Sequence, residues 1–330
     1  MLISNRKKYY GYLFITPFLI GFLLFGLYPV YNTLALSFTD TTLMSREATN
    51  IGLDNYTRLF ADDLFMRAVG NTWLLWTLNF IPQIGIAMLL SVWFTSTRLR
   101  LKAVGTWRAL FYLPNLLTPA AIAALFFSLF SFYGPVNQFL VRAGFLEEAM
   151  HFLQDVEITR GLVIFIQWWM WFGQTIIILM AGMSSIPIQL YEAAMVDGAG
   201  GFQMFRRITL PLLKPILIFI FVTSLVGGMQ LFDIPYLLTD GRGAPQGSIM
   251  TNIVLMYLKF GSSQGHIGAA ASVGVLIFIM TSICALSIFF FLRDKDQDAA
   301  IRSRFRLRLL RTESASRTAG ATTLPGGDAR

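Results

Sequence analysis

Charge is scarce in this sequence. Asp, Glu, Lys and Arg make up only 13% of its 330 residues, about half the share of an ordinary soluble domain. So few charges cannot keep the surface of a chain this long wet, which excludes a large soluble enzyme. Cysteine occurs once, as Cys284; this excludes an internal disulfide, and one thiol makes no zinc site. Within an apolar run it reads as a small packing residue. The two histidines, His151 and His266, stand far apart in the chain, and no metal site is expected. A Gly-Lys dipeptide is missing throughout, so there is no phosphate loop of the Gly-x-x-x-x-Gly-Lys kind. No period of roughly 20 to 50 residues recurs, which excludes a solenoid.

What the chain has is apolar length. Residues of hydrophobic type make up 55% and aromatic ones 15%. Six runs, at 11–36, 73–94, 109–132, 162–183, 212–232 and 267–292, reach the roughly 18 apolar residues that cross a bilayer as a helix. Lipid offers the backbone no partner, so these segments satisfy their own hydrogen bonds as helices. The first run follows Arg6, Lys7 and Lys8 but is too long for a signal peptide and shows no small-x-small cleavage site before Thr39. It is expected to be a span.

Six spans put both termini on one side. Nineteen of the 26 Lys and Arg fall on the terminal side, including Arg98, Arg100, Lys102, Arg206 and Arg207. The other seven, among them Arg67, Arg142, Arg160 and Lys259, face the opposite way. Positive residues stay cytoplasmic, so both termini are expected inside. The pI of about 9.7 is therefore a topology signal and implies no nucleic-acid partner. The expected architecture is all-α and integral to the membrane. A cytoplasmic start (1–10) leads into one six-span domain (11–292), and a basic, largely disordered tail (293–330) follows. The tail arginines, from Arg302 to Arg311, either lie on anionic lipid or only enforce topology. Outside, Val136, Phe139 and Leu140 after Gly134-Pro135 mark a short interfacial helix.

The segment joining the fourth and fifth runs carries the chief motif. It reads Glu192-Ala193-Ala194-Met195-Val196-Asp197-Gly198-Ala199-Gly200-Gly201, with Phe202, Phe205 and Ile208 at three-residue spacing, then Leu210-Pro211. Pro187 suits a first helical turn, and the glycines at 198–201 permit the positive φ of a break. Two short helices about a glycine hinge are expected, with Pro211 opening the fifth span. The segment has no nucleophile, paired base or metal cluster. A helical knob of this kind at a membrane surface is a docking element.

That pattern resembles the EAA loop (184–211 here) of binding-protein-dependent ATP-binding-cassette importer permeases. Ten positions match in order: Glu192, Ala193, Ala194, Asp197, Gly198, Ala199, Phe205, Ile208, Leu210 and Pro211. The segment 9–40, Gly52-Leu53-Asp54-Asn55-Tyr56, Asn71-Thr72, Leu113-Pro114 and Leu237-Leu238-Thr239-Asp240-Gly241 resemble carbohydrate-type, maltose-transporter-like members. One departure stands after Thr239, where relatives often carry Gly-Gly-Pro and this chain has Gly241-Arg242-Gly243-Ala244-Pro245. The resemblance implies a type I importer permease fold in a bacterial inner membrane. It implies that the loop, Gly200 included, docks on a separate ATPase dimer that binds ATP and Mg, so that this chain is no enzyme and holds no cofactor. A second, homologous permease in a heterodimer, an extracytoplasmic solute-binding protein and membrane lipid are the implied partners.

Inside the six runs Lys214 is the one charged residue, at a cytoplasmic end. Proton and ion pathways need intramembrane charge, so a self-sufficient secondary carrier is disfavoured. A glycerol phosphate or similar anion would want basic groups, which leaves a neutral, hydroxyl-rich solute in front. Sugars are held by aromatic faces and hydrogen-bonding side chains, and the fourth run offers Gln167, Trp168, Trp169, Trp171, Gln174 and Thr175. The resemblance points to Trp169, Trp171 and Gln174, then to Ser224, Gly227, Gly228 and Leu231; chemistry adds Gln230 and Asp233. The competing readings are tryptophan anchors at the lipid interface and glycines that only let helices approach. Asn79, Gln83, Asn115 and Thr118, with Pro82, Pro114 and Pro119, read as hinges or inter-helix hydrogen bonds.

Overall fold

The computed structural model describes residues 3–45, 48–96, 99, 101–239, 241–262 and 265–292. The basic tail at 293–330 lies outside the described residues, as do Arg98 and Arg100. Among the described residues, six helical segments are long and apolar enough to cross a membrane.

The first span joins α1 (Ile3–Phe22) to α2 (Tyr28–Leu36) through a π turn at Leu23–Leu27. Pro29 explains the turn. It lacks an N–H and its ring crowds the carbonyl four residues back, and the Tyr28 N–H reaches Leu23 O, five residues back. No side chain of Tyr12–Leu36 is buried, as an apolar helix facing lipid requires. Its outer end is pinned through α3 (Asp54–Phe60). Asn55 Nδ2 donates to Ser37 O and Thr39 O, both at 2.9 Å, and the Tyr56 and Ser37 hydroxyls meet at 2.6 Å. These bonds give the Asn55-Tyr56 pair of the sequence motif a physical role.

The long α4 (Asp63–Thr95) starts at an Asp62 cap, whose carboxylate accepts the Leu64 N–H at 2.9 Å. The third run departs from expectation. In place of one helix over 109–132, α5 (Val104–Tyr112) gives way to a 3-10 turn at Leu113–Leu116, and α6 (Pro119–Phe130) restarts from a Thr118 cap. Pro114 and Pro119 break the ladder here. Gly173 lets the broken backbone lie against the next span: a Cβ there would stand 2.0 Å from Phe111 O. The third apolar segment long enough to cross is therefore Pro119–Arg142, shifted from the expected 109–132, and it takes in α7 (Pro135–Arg142), the helix expected after Gly134-Pro135. α7 is held by Asn137, whose Nδ2 donates to Ser131 O, Phe132 O and Met150 O while Oδ1 accepts from Met150 N.

The fourth span is α8 (Val156–Ser184), capped by Asp155. α9 (Ile188–Val196), α10 (Gly201–Met204), a π turn at Phe205–Thr209 and α11 (Leu210–Leu212) form the connecting segment. The fifth span is α12 (Lys214–Met229) and, after a break at 230–232, α13 (Asp233–Leu238). α14 (Asn252–Phe260) and α15 (Ile267–Leu292) complete the order. Between the fifth and sixth runs the chain thus forms two short helices, α13 and α14, and Cys284 on α15 packs among apolar side chains.

Among the described residues α4 and α8 form the most extensive helix pair; α12 packs on both, and α15 packs on α12. The apolar interior falls into three clusters. One gathers Ile122, Ile166, Met170 and Ile234; a second Leu225, Met229, Val254 and Val273; a third Phe80, Phe172, Ile176 and Leu179.

Candidate functional site

α4, α8 and α12 enclose a cavity of ≈330 Å3. α4 contributes Trp76, Asn79 and Gln83 to its wall; α8 contributes Gln167, Trp171, Gln174 and Thr175. From the fifth span come Thr223, Ser224, Gly227 and Gly228. The helix break then brings Gln230, Leu231 and Asp233 to the same wall. Leu231 O accepts the Thr251 hydroxyl at 2.6 Å, which holds the break in place.

The lining is half aromatic and apolar, half hydrogen-bonding. Trp171 and Gln174, three residues apart, share one face of α8 and both open on the cavity. Gln83 Nε2 donates to Thr175 Oγ1 at 2.8 Å, so this pair ties α4 to α8 while standing in the wall. Trp76 Nε1 donates to Ser224 Oγ at 3.2 Å and ties α4 to α12. Asn79 Oδ1 is buried without a hydrogen-bond partner, an acceptor left available in a low-dielectric wall. Asp233 is the only charged side chain in the lining, among the described residues.

The two adjacent glycines separate into different roles. A Cβ on Gly228 would stand 2.0 Å from Trp76 Cδ1, whereas one on Gly227 would meet nothing within 4 Å. Gly228 makes room for the indole; Gly227 keeps the cavity open. Trp169 stands apart from the other sequence candidates. It lies outside the lining and packs edge-on against Phe126, ring centres 5.9 Å apart.

At the opposite end of α8, the connecting segment is ordered by its own backbone. Ala199 N–H bonds Ala194 O at 2.8 Å and Gly198 N–H bonds Met195 O at 3.1 Å, the paired bonds of a Schellman stop. Gly198 takes φ +78° to make it. Gly200 has an ordinary extended backbone, φ −73° and ψ 163°, and begins α10. The expected glycine hinge is therefore one residue wide. Pro187 sits just before the first helical residue and not in the first turn, because its ψ of 127° is extended. Pro211 lies in the short α11, and α12 starts at Lys214 followed by Pro215. The Tyr191 and Thr209 hydroxyls meet at 2.9 Å and hold the two arms together. Val196 and Phe202 are 88% and 77% exposed, and Glu192, Ala193 and Asp197 are exposed with them, while Ala194, Ala199, Phe205 and Ile208 are partly covered. A helix with no buried residue that presents bare apolar side chains next to acidic ones has the make-up of a docking surface.

Residues 67–295 match the family model described as "Binding-protein-dependent transport system inner membrane component". The chain belongs to this family. Among similar proteins, the lactose transport system permease protein LacF of Rhizobium radiobacter is 31% identical over 296 residues, covering 88% of this chain and 98% of that protein. The arabinooligosaccharides transport system permease protein AraP of Bacillus subtilis (strain 168) is 29% identical, covering 85% of this chain and 87% of its own length. In structure, the permease resembles a chain of a bacterial ATP-binding-cassette transporter involved in import of the acidic polysaccharide alginate. The TM-score is 0.73 at 24% identity, with 88% of this chain and 97% of that one covered. That likeness gives the fold: the type I importer permease architecture.

Several wall residues of the permease escaped the sequence reading. Trp76, Met170, Ile178 and Thr223 sit in continuous apolar runs and carry no mark there. Asn79, Gln83, Gln167 and Thr175 were legible as polar residues in membrane runs, but the side they face depends on how α4 and α8 cross.

Proposed function

We propose that this permease passes a neutral sugar or oligosaccharide through the cavity between α4, α8 and α12. The observation that carries the reading is the lining: an indole beside amide and hydroxyl groups, with no Lys, Arg or His among the described wall residues. Sugar rings present apolar C–H faces to an indole and polar edges to such groups. Trp171, Gln174, Ser224, Gly227, Gly228, Gln230, Leu231 and Asp233 are the contact residues in this reading, and Trp169 supports the wall from behind. Relatives whose names specify lactose and arabinooligosaccharides agree with this cargo class.

Transport in this scheme is driven from outside the chain. The connecting segment, with Glu192, Ala193, Ala194, Asp197, Gly198, Ala199, Gly200, Phe205 and Pro211, docks on a separate ATPase dimer that binds ATP and Mg. Closure of that dimer levers α8 and α12 through the knob, which turns the cavity from one face of the membrane to the other. Both termini lie in the cytoplasm, as the distribution of Lys and Arg indicates. A second, homologous permease completes the pathway, and an extracytoplasmic binding protein delivers the solute.

Affinity purification of the native complex tests this reading. It predicts an ATPase and a second permease in the eluate, and a binding protein that selects neutral glycans from a panel. A chain that purifies alone and transports by itself contradicts it.

A further inference from the structure

A second hollow, of ≈370 Å3, opens where the outer ends of α4 and α8 meet the loop before α14. Arg67, Gly70 and Asn71 of α4, Val156 and Arg160 of α8, and Gln246, Gly247 and Ser248 of the loop line it. The frame is well braced. Asn71 Nδ2 donates to Gly247 O at 2.8 Å and Met250 O at 3.1 Å, and Arg160 donates to Ser248 O at 3.1 Å and Asn71 Oδ1 at 3.3 Å.

Two guanidinium groups thus border one hollow whose described lining holds no carboxylate. Glu157, which pairs with Arg160, is 84% exposed and reaches it only at 3.5 Å. Arg67 is exposed, and its side chain makes no ion pair or hydrogen bond among the described residues. Beside them the Ser248 hydroxyl is buried, in a residue 5% exposed, and has no hydrogen-bond partner. A free guanidinium, a braced one and an unpaired hydroxyl form a receptor for an oxyanion, with the planar fork of arginine suited to a carboxylate.

We propose that this hollow receives a carboxylate side chain of the extracytoplasmic binding protein and sets its docking on the permease. A protein carboxylate is favoured over an anionic cargo because the transport cavity itself offers a carboxylate, Asp233, and no cation in its described wall. An acidic solute attracted to the rim would meet repulsion within. The proposal rests on the topology and on the delivery partner given under Proposed function.

The experiment uses the assembled transporter in vesicles, with its binding protein titrated on the outer side and stimulated ATP hydrolysis as the readout. Arg67→Glu is expected to raise the half-stimulating concentration of binding protein about tenfold and to leave the plateau unchanged. The shift is expected to shrink between about 0.05 and 0.5 M salt, because rim charges act through screened attraction. Arg142→Glu, which makes the same charge change on α7 away from the hollow, is expected to shift it far less. An unchanged half-stimulating concentration in Arg67→Glu overturns the inference and leaves the transport reading standing. The inference is equally overturned if Arg67→Glu spares docking but lowers uptake of a glucuronate-containing glycan relative to a neutral one, since cargo is then the occupant. A wild-type complex that no binding protein stimulates overturns both readings.

Discussion

Adding one methyl group at Gly228 should be far more damaging than adding one at Gly227. A Cβ at 228 lies 2.0, 2.5 and 2.9 Å from Trp76 Cδ1, Cγ and Nε1. The first two atoms stand at the root of the indole, so bending the end of the side chain gives no relief. Either Trp76 changes rotamer or α4 and α12 move apart. Overpacking of this kind costs about 1–3 kcal/mol, and loss of the Trp76–Ser224 hydrogen bond, 3.2 Å long, adds about 1 kcal/mol. The total of roughly 2–4 kcal/mol should lower Tm by several degrees, and an indole turned inward takes up much of the ≈330 Å3 cavity. Gly227→Ala meets nothing within 4 Å and gains helix propensity of about 1 kcal/mol, so its Tm should hold or rise while uptake weakens slightly. Thermal unfolding of the detergent-solubilised protein and solute uptake in vesicles read the two effects separately. Equal Tm values for both variants, or wild-type uptake in Gly228→Ala, would refute the packing argument.

Three further outcomes follow from the same geometry. Gly198→Ala places a side chain at φ +78°, a strain of about 1–2 kcal/mol; ATP hydrolysis in the assembled transporter should persist while uptake falls, and full coupling would remove Gly198 from the docking role. Gln174→Ala should weaken solute affinity by about tenfold, the worth of one lost hydrogen bond near 1.4 kcal/mol, and unchanged affinity removes it from the wall contacts. The third concerns pH. Burial pushes the Asp62 carboxyl upward, but the Lys259 ammonium at 3.0 Å and the Leu64 N–H outweigh it and hold the pKa below 3.8. A depressed carboxylate stabilises the fold fully above its unfolded pKa and loses that contribution as pH falls through the folded value. Lys259→Met should therefore lower Tm by a constant amount at neutral and mildly acidic pH, with the gap closing below pH 3.8; a gap that stays open there contradicts the pairing.

The membrane spans were readable because lipid imposes one demand along the chain, an unbroken apolar length that bonds its own backbone. The third span shows where that reading weakens. Pro114 and Pro119 look like kinks in a single run, whereas the chain abandons the helix between them, and only the room at Gly173 on another span allows it. The connecting segment was legible down to its stop because a Schellman turn is local chemistry, written in Ala194 and Gly198 within a few residues. The cavity was legible on α8 and α12, where the tryptophan, glutamine and glycines cluster, and obscure on α4, where Trp76 sits in an apolar run. Gly227 and Gly228 are indistinguishable as letters; Trp76, on another helix, makes them different. The Asn71–Gly247 bond joins residues 176 positions apart, a distance that no local pattern spans.

The most direct test of a permease driven by an external motor is reconstitution in two forms, the chain alone and the chain assembled with its second permease, ATPase and binding protein. Uphill solute uptake on adding ATP should occur only in the full assembly and should stop when the ATPase is left out. ATP-driven accumulation by vesicles that hold this chain alone would contradict the account.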